Sequence, residues 1–184
     1  MSSGIDIIEC DITRLECGAI VNAANRTLLG GGGVDGAIHR TSGPGLLEYC
    51  RRLPEIEPGV RCRTGDAVIT PAFSLPCEFV IHTVGPIWRG GYSSEEELLA
   101  RCYSSSLALA VEKGVTSIAF PAISCGAYGF PADRAAEIAV GTCMMLQERR
   151  MSPERIVLVA YDSWMEGHLD RALRERMNRS LGPS

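Results

Sequence analysis

The chain has 184 residues, 46% of them hydrophobic, and a formal net charge of −4. That length and apolar content suit one domain, residues 1–184, with a sizeable core, and they exclude wholesale disorder. The acidic balance excludes a broad electrostatic grip on nucleic acid, though not a local anion site built from uncharged backbone amides.

The N-terminus, MSSGIDIIECDIT, lacks the basic-then-apolar order of a leader peptide, and no stretch approaches the roughly 20 apolar residues of a membrane span. None of the 8 cysteines has C-x-x-C spacing and no paired histidines accompany them, so a zinc site is not expected. A reduced, cytoplasmic protein with its cysteines as thiols is the expectation.

Ile5–Cys10 and Ala19–Asn22 read as strands, followed by a short helix over Val34–Ser42. Gly43-Pro44-Gly45 interrupts it, and Leu46–Leu53 predicts another helical turn or two. Residues 54–66 are rich in turn formers and read as loop. Ala67–Thr70 and Phe79–Val84 are strands by their apolar runs. Residues 93–113 predict a helix opened by a serine cap and three glutamates at its positive end, and stopped by Gly114. A buried strand over Ser117–Ile123 follows, and Pro131 opens a helix whose face Ala135, Ile138, Ala139, Thr142, Met145 and Leu146 repeats at helical spacing. Ile156–Tyr161 is the last strand; Met165, Leu169, Leu173 and Met177 line the last helix, with a frayed tail beyond. Strands that alternate with helices and are apolar throughout imply an α/β fold with a mixed, largely parallel sheet covered on both faces.

Two segments carry glycine between an apolar strand and a helix: NAANRTLLGGGGVDGAIHR at residues 22–40 and PAISCGAYGFP at residues 121–131. Free amides at a helix start and bare backbone make an anion site, and two such loops at neighbouring strand ends can clamp a diphosphate. No G-x-x-x-x-G-K-[ST] is present, and the G-x-G-x-x-G match within Gly30–Gly36 lacks an acidic partner at a strand end about 20 residues on.

The pieces CDIT, IVNAAN, LLGGGGVDGAIHR, TGDAVIT, VIHTVGPIWRGG, AFPAISCGAYGFP and VAYD together make the chain resemble the macrodomain family, in its bacterial MacroD-like branch. The resemblance implies a three-layer α/β/α fold, a cleft for ADP-ribose and removal of an ester-linked group from it, with no cofactor and no metal. Two substrates stay open: O-acetyl-ADP-ribose, and ADP-ribose on a protein Asp or Glu. The implied partners are therefore ADP-ribose, its O-acyl esters and ADP-ribosylated proteins. Matched position by position, Asp11 and Ile12 take the adenine, Asn25 the distal ribose, and Gly33, Val34 and Asp35 the distal ribose and α-phosphate. Ser124, Cys125, Gly126, Ala127 and Tyr128 form the second diphosphate loop, with Tyr128 near the distal ribose. The family usually has threonine and valine where this chain has Cys125 and Ala127, which sets a thiol near the diphosphate.

Asp35 and Asn25 are the expected catalytic pair, positioning ribose and water. A helix start lowers an aspartate's pKa and a diphosphate raises it, so the sequence leaves the net shift open. His39, one turn after Asp35, is a candidate acid or base; His82 reads as core, His168 as surface, and Trp88–Arg89 as the cleft rim or a plain loop. Competing readings are a non-catalytic ADP-ribose-binding module, a phosphatase on ADP-ribose 1″-phosphate, and a cysteine hydrolase using Cys125.

Overall fold

The computed structural model describes residues 4–180. Among the described residues six strands form: β1 (Ile5–Glu9), β2 (Cys17–Ala24), β3 (Ala67–Pro71), β4 (Cys77–Val84), β5 (Ser117–Phe120) and β6 (Arg155–Ala160). Five helices separate or follow them: α1 (Gly33–Ser42), α2 (Pro44–Arg52), α3 (Glu95–Glu112), α4 (Ala132–Glu148) and α5 (Ser163–Ser180). The strands make one sheet in the order β1-β6-β5-β2-β4-β3. Every neighbouring pair is parallel except β3 with β4.

Alternation along β2 divides the core in two. Ala19 and Val21 face a buried cluster with Leu99 and Leu107 of α3, Ala136 of α4 and Leu169 of α5. Ile20 and Ala24 face a second cluster with Ile38 of α1 and with Leu46 and Cys50 of α2. A strand buried on both faces has no polar side to show, which is why these runs read as continuously apolar. The result is the expected three-layer α/β/α arrangement around a mixed, largely parallel sheet. Among the described residues no helix is long and apolar enough to cross a membrane.

Several boundaries differ from expectation for local reasons. β5 ends at Phe120, because Pro121 has no N–H to continue the ladder. Pro131 is the residue before α4, in extended conformation, rather than its first helical residue. No serine caps α3: Ser94 is left-handed and makes no side-chain cap bond. The buried Glu95 carboxylate instead gathers the loop before the helix, accepting from the amides of Arg89 (3.0 Å), Gly91 (3.2 Å) and Ser93. Helix α5 continues past Met177 to Ser180. The rest of the expected frayed tail, residues 181–184, and the first three residues of the leader-peptide reading lie outside the described residues.

Candidate functional site

Because β1, β6, β5, β2 and β4 run the same way, the segments leaving their carboxyl ends gather along one edge, where α/β sheets bind ligands. β2 and β5 are neighbours, so the two glycine loops, residues 25–32 and 121–131, leave adjacent strands.

Asn25 builds the first loop. Its Oδ1 accepts from the Thr27 amide (3.0 Å) and hydroxyl (2.6 Å), and its Nδ2 donates to the Gly30 carbonyl (2.9 Å). Leu28 anchors the loop in the core, fully buried, and Arg61 braces it by donating from Nη1 to the Thr27 carbonyl at 3.2 Å. The chain enters α1 through Gly33 at φ +57, a left-handed conformation that favours glycine. The first helical amide to find a carbonyl is Gly36, which donates to Gly32. The amides of Gly33, Val34 and Asp35 are thus the open donors of a helix start.

Asp35 is 4% exposed. Its inner oxygen, Oδ1, accepts from Asn22 Nδ2 at 2.7 Å, and His39 Nε2 stands 3.5 Å from it. Its outer oxygen, Oδ2, faces Gly31, lying 3.0 Å from where a Cβ would sit. Burial raises the Asp35 carboxyl above its ordinary range, and the Asn22 hydrogen bond and nearby His39 offset only part of that. Desolvation is thus the largest influence that the protein itself exerts on this carboxyl.

In the second loop Ser124 sits at φ +65, with its hydroxyl buried and unpartnered among the described residues. The loop is closed by Cys125 N–H to Ala122 O, Gly129 N–H to Gly126 O and Phe130 N–H to Ser124 O. Among the described residues the amides of Gly126, Ala127 and Tyr128 make no hydrogen bond. The Tyr128 carbonyl accepts from the Trp88 amide at 2.9 Å, so the segment after β4 is tied to this loop. Trp88 also packs on Phe130, ring centroids 4.7 Å apart, beneath the Arg134 guanidinium.

Cys125 departs from expectation. Its side chain packs against the cluster containing Tyr103 and Phe120, and its Sγ donates to the Ile123 carbonyl at 3.6 Å. Burial pushes the thiol up to about 11, the opposite of an activated nucleophile. A buried, protonated thiol does not fit a cysteine hydrolase. Asp11 and Ile12 follow β1, three strand positions from β2. The exposed Asp11 carboxylate is held below its usual range by the Thr13 hydroxyl (2.7 Å) and amide (3.0 Å), while Ile12 is buried.

His82 lies in the core as expected, and Asn22, not singled out in the sequence, lies beside it and bonds Asp35. Both are fully buried, in paired register on β2 and β4. The available signal was a polar residue inside each of two unbroken apolar strands, since a buried polar group needs a partner.

A model of the Macro domain matches residues 21–139. The chain belongs to the macro domain family. A macro domain-containing protein of Xanthomonas campestris is 56% identical over 158 residues, covering 86% of this chain and 88% of that protein. A Citrobacter rodentium protein named O-acetyl-ADP-ribose deacetylase is 56% identical over 162 residues, covering 88% of this chain and 90% of its own. Among solved structures, the Oceanobacillus iheyensis macrodomain with ADP is similar at TM-score 0.87 and 43% identity, covering 94% of this chain and 91% of that one. The Trypanosoma brucei macrodomain in complex with ADP-ribose follows at 0.81 and 36%, covering 92% and 69%.

Proposed function

We propose that this macro domain protein is a hydrolase that removes an ester-linked acyl group from ADP-ribose. The observation that carries the reading is Asp35. It is a buried carboxyl raised in pKa, tied by one oxygen to Asn22 and turned by the other toward the glycine loop. The names of the deacetylase relative and of the macrodomains with ADP and ADP-ribose support the same ligand.

In this reading the open amides of Gly33, Val34 and Asp35 and those of Gly126, Ala127 and Tyr128 hold the diphosphate, with Ser124 and Cys125 shaping the second loop. Adenine lies toward Asp11 and Ile12; three strand spacings, about 14 Å, separate β1 from β2, a span suited to a dinucleotide laid across the strand ends. Asn25 has one amide hydrogen left after bonding Gly30 and donates it to a distal ribose hydroxyl. Tyr128 flanks that ribose.

Water attacks the ester carbonyl as Asp35 Oδ2 takes its proton. The tetrahedral intermediate collapses, the C–O bond to ribose breaks, and the ribose oxygen recovers the proton from Asp35. ADP-ribose and the free acid result. A base is most effective when its pKa approaches the working pH, so the upward shift of Asp35 favours turnover over mere binding.

Two measurements test this. Calorimetry should give heat with ADP-ribose, and no binding overturns the reading. Rates on O-acetyl-ADP-ribose and on a protein ADP-ribosylated at glutamate then decide between the two esters; ligand binding with neither hydrolysed makes the protein a reader. The acid limb of kcat/KM against pH should rise through an apparent pKa above the ordinary aspartate value of about 3.9 and level off above it. Cys125→Ala should retain turnover, because a protonated buried thiol contributes packing and not chemistry; the check is the same rate assay.

A further inference from the structure

Resting on the functional reading above, we propose that His82 is a positioning residue for the reaction: through Asn22 it fixes the amide that holds Asp35 as the base. His82 lies in the middle of β4, fully buried, and touches neither glycine loop through any hydrogen bond among the described residues. The parallel register sets it directly beside Asn22 of β2. Asn22 Nδ2 meets His82 Nδ1 at 3.0 Å and Asp35 Oδ1 at 2.7 Å, so its two hydrogens have one acceptor each.

That arrangement requires one form of the ring. Nδ1 must be a bare acceptor and Nε2 must carry the hydrogen, which reaches Thr70 Oγ1 at 3.0 Å. Thr70 passes its own hydrogen on to the Pro71 carbonyl at 3.1 Å. A protonated ring would aim an N–H at the Asn22 amino group and break the chain. Burial depresses the ring's pKa to about 3, with His39 adding to the effect, so the neutral form holds across the working range. The remaining atom of the amide, Asn22 Oδ1, is buried and has no partner among the described residues. Asn22 is thus oriented from its nitrogen alone, by His82 on one side and Asp35 on the other. Remove the His82 acceptor and the amide can turn its orphan oxygen toward another donor, withdrawing its hydrogen from Asp35. A carboxylate that loses such a donor is driven further up in pKa and loses its fixed orientation.

The titratable groups around Asp35 are few. His39 is on its own helix, Cys50 on α2 remains a thiol by burial, and His82 on β4 reaches it through Asn22; the His82 and His39 rings are 6.4 Å apart.

The test uses the whole protein. His82→Phe keeps a ring and removes the acceptor. His82→Asn restores an acceptor at the δ position, and His82→Gln sets one a bond further out. His82→Phe should lower kcat about ten- to a hundredfold, leave the Kd for ADP-ribose within about threefold, and move the acid limb of the rate profile upward. His82→Asn should recover most of kcat. In an Asn22→Ala background His82→Phe should produce no further shift of the acid limb. An NMR titration of the Asp35 carboxyl carbon reads the same shift without turnover, so absent hydrolysis by the wild type defeats the functional reading while leaving this one measurable. Unchanged kcat and acid limb in His82→Phe, or a full further shift in the Asn22→Ala background, overturns the proposal. Should His82→Phe fail to fold, equal activity and equal carboxyl titration in His82→Asn and His82→Gln overturn it instead.

Discussion

Asp35→Asn should nearly abolish ester hydrolysis while raising the melting temperature at neutral pH. Loss of a general base costs about a hundred- to ten-thousandfold in rate, and an amide, whose nitrogen lone pair is delocalised into the carbonyl, is far too weak a base to take the proton from water. The gain in stability follows from the direction of the pKa shift. Burial raises the folded Asp35 carboxyl above its unfolded value, so the native state binds that proton more tightly than the unfolded chain does. Stability from this group is greatest below the ordinary carboxyl pKa, near 3.9, and is lost as pH rises through the folded value. At neutral pH the wild type therefore carries the whole cost of burying a charge. Asparagine removes that cost and still offers a carbonyl oxygen to Asn22 Nδ2, which now donates to Asp35 at 2.7 Å. Asp35→Ala removes the acceptor as well. It leaves a buried amide donor unmatched at about 1–3 kcal/mol, so it should melt below Asp35→Asn. Both variants should still bind ADP-ribose, because the proposed diphosphate cradles are main-chain amides. Melts across pH 4 to 8 and rates on O-acetyl-ADP-ribose check both halves; full turnover in Asp35→Asn would remove the residue from the mechanism.

The same network marks where a sequence stops being legible. Strands of Val, Ile and Ala and the glycine stop at Gly114 depend on neighbours within a few residues, and each was readable from them. The face of α4 was legible only in part, since Ala135, Ala139 and Leu146 are buried but Met145 is exposed and Ala136, Val140 and Cys143 complete the buried side. The bonds of Asn25 to Thr27 and Gly30 are local turn chemistry of the same short range. Asn22 and His82 are 60 residues apart, and only the register of two parallel strands brings them together. Nothing in either strand's own pattern announces the partner. The capping of α3 failed for a different reason. Ser94 is drawn into a left-handed conformation and makes no cap bond, while the loop from Arg89 to Ser93 folds its amides around the neighbouring Glu95 carboxylate. The competing cysteine-hydrolase reading rested on a loop position beside a helix, which suggests activation, whereas the Cys125 side chain turns into the core.

Gly36→Ala should weaken ADP-ribose binding at least about tenfold, and Gly32→Ala should separate two reasons for the bare backbone. Replacing a helical glycine by alanine ordinarily gains up to about 1 kcal/mol of helix stability. At Gly36 a Cβ would lie 2.6 Å from the Gly31 carbonyl oxygen and 3.0 Å from Arg40 Nη1. Arginine can swing away, but a backbone carbonyl moves only with its loop. Overpacking of this kind costs about 1–3 kcal/mol, of which each 1.4 kcal/mol appearing in binding is tenfold. Gly31 lies against both Asp35 Oδ2 and Asn25 Nδ2, so displacing it should lower kcat as well as affinity. Gly32 differs: a Cβ there meets nothing within 4 Å, and its φ of −94 suits any residue. Gly32→Ala should therefore melt like the wild type. A loss of ADP-ribose affinity in that variant, with an unchanged melt, means the open space at Gly32 belongs to the ligand. Unchanged affinity means that the loop's glycines answer to chain geometry alone, as Gly33 at φ +57 and Gly36 against Gly31 already require.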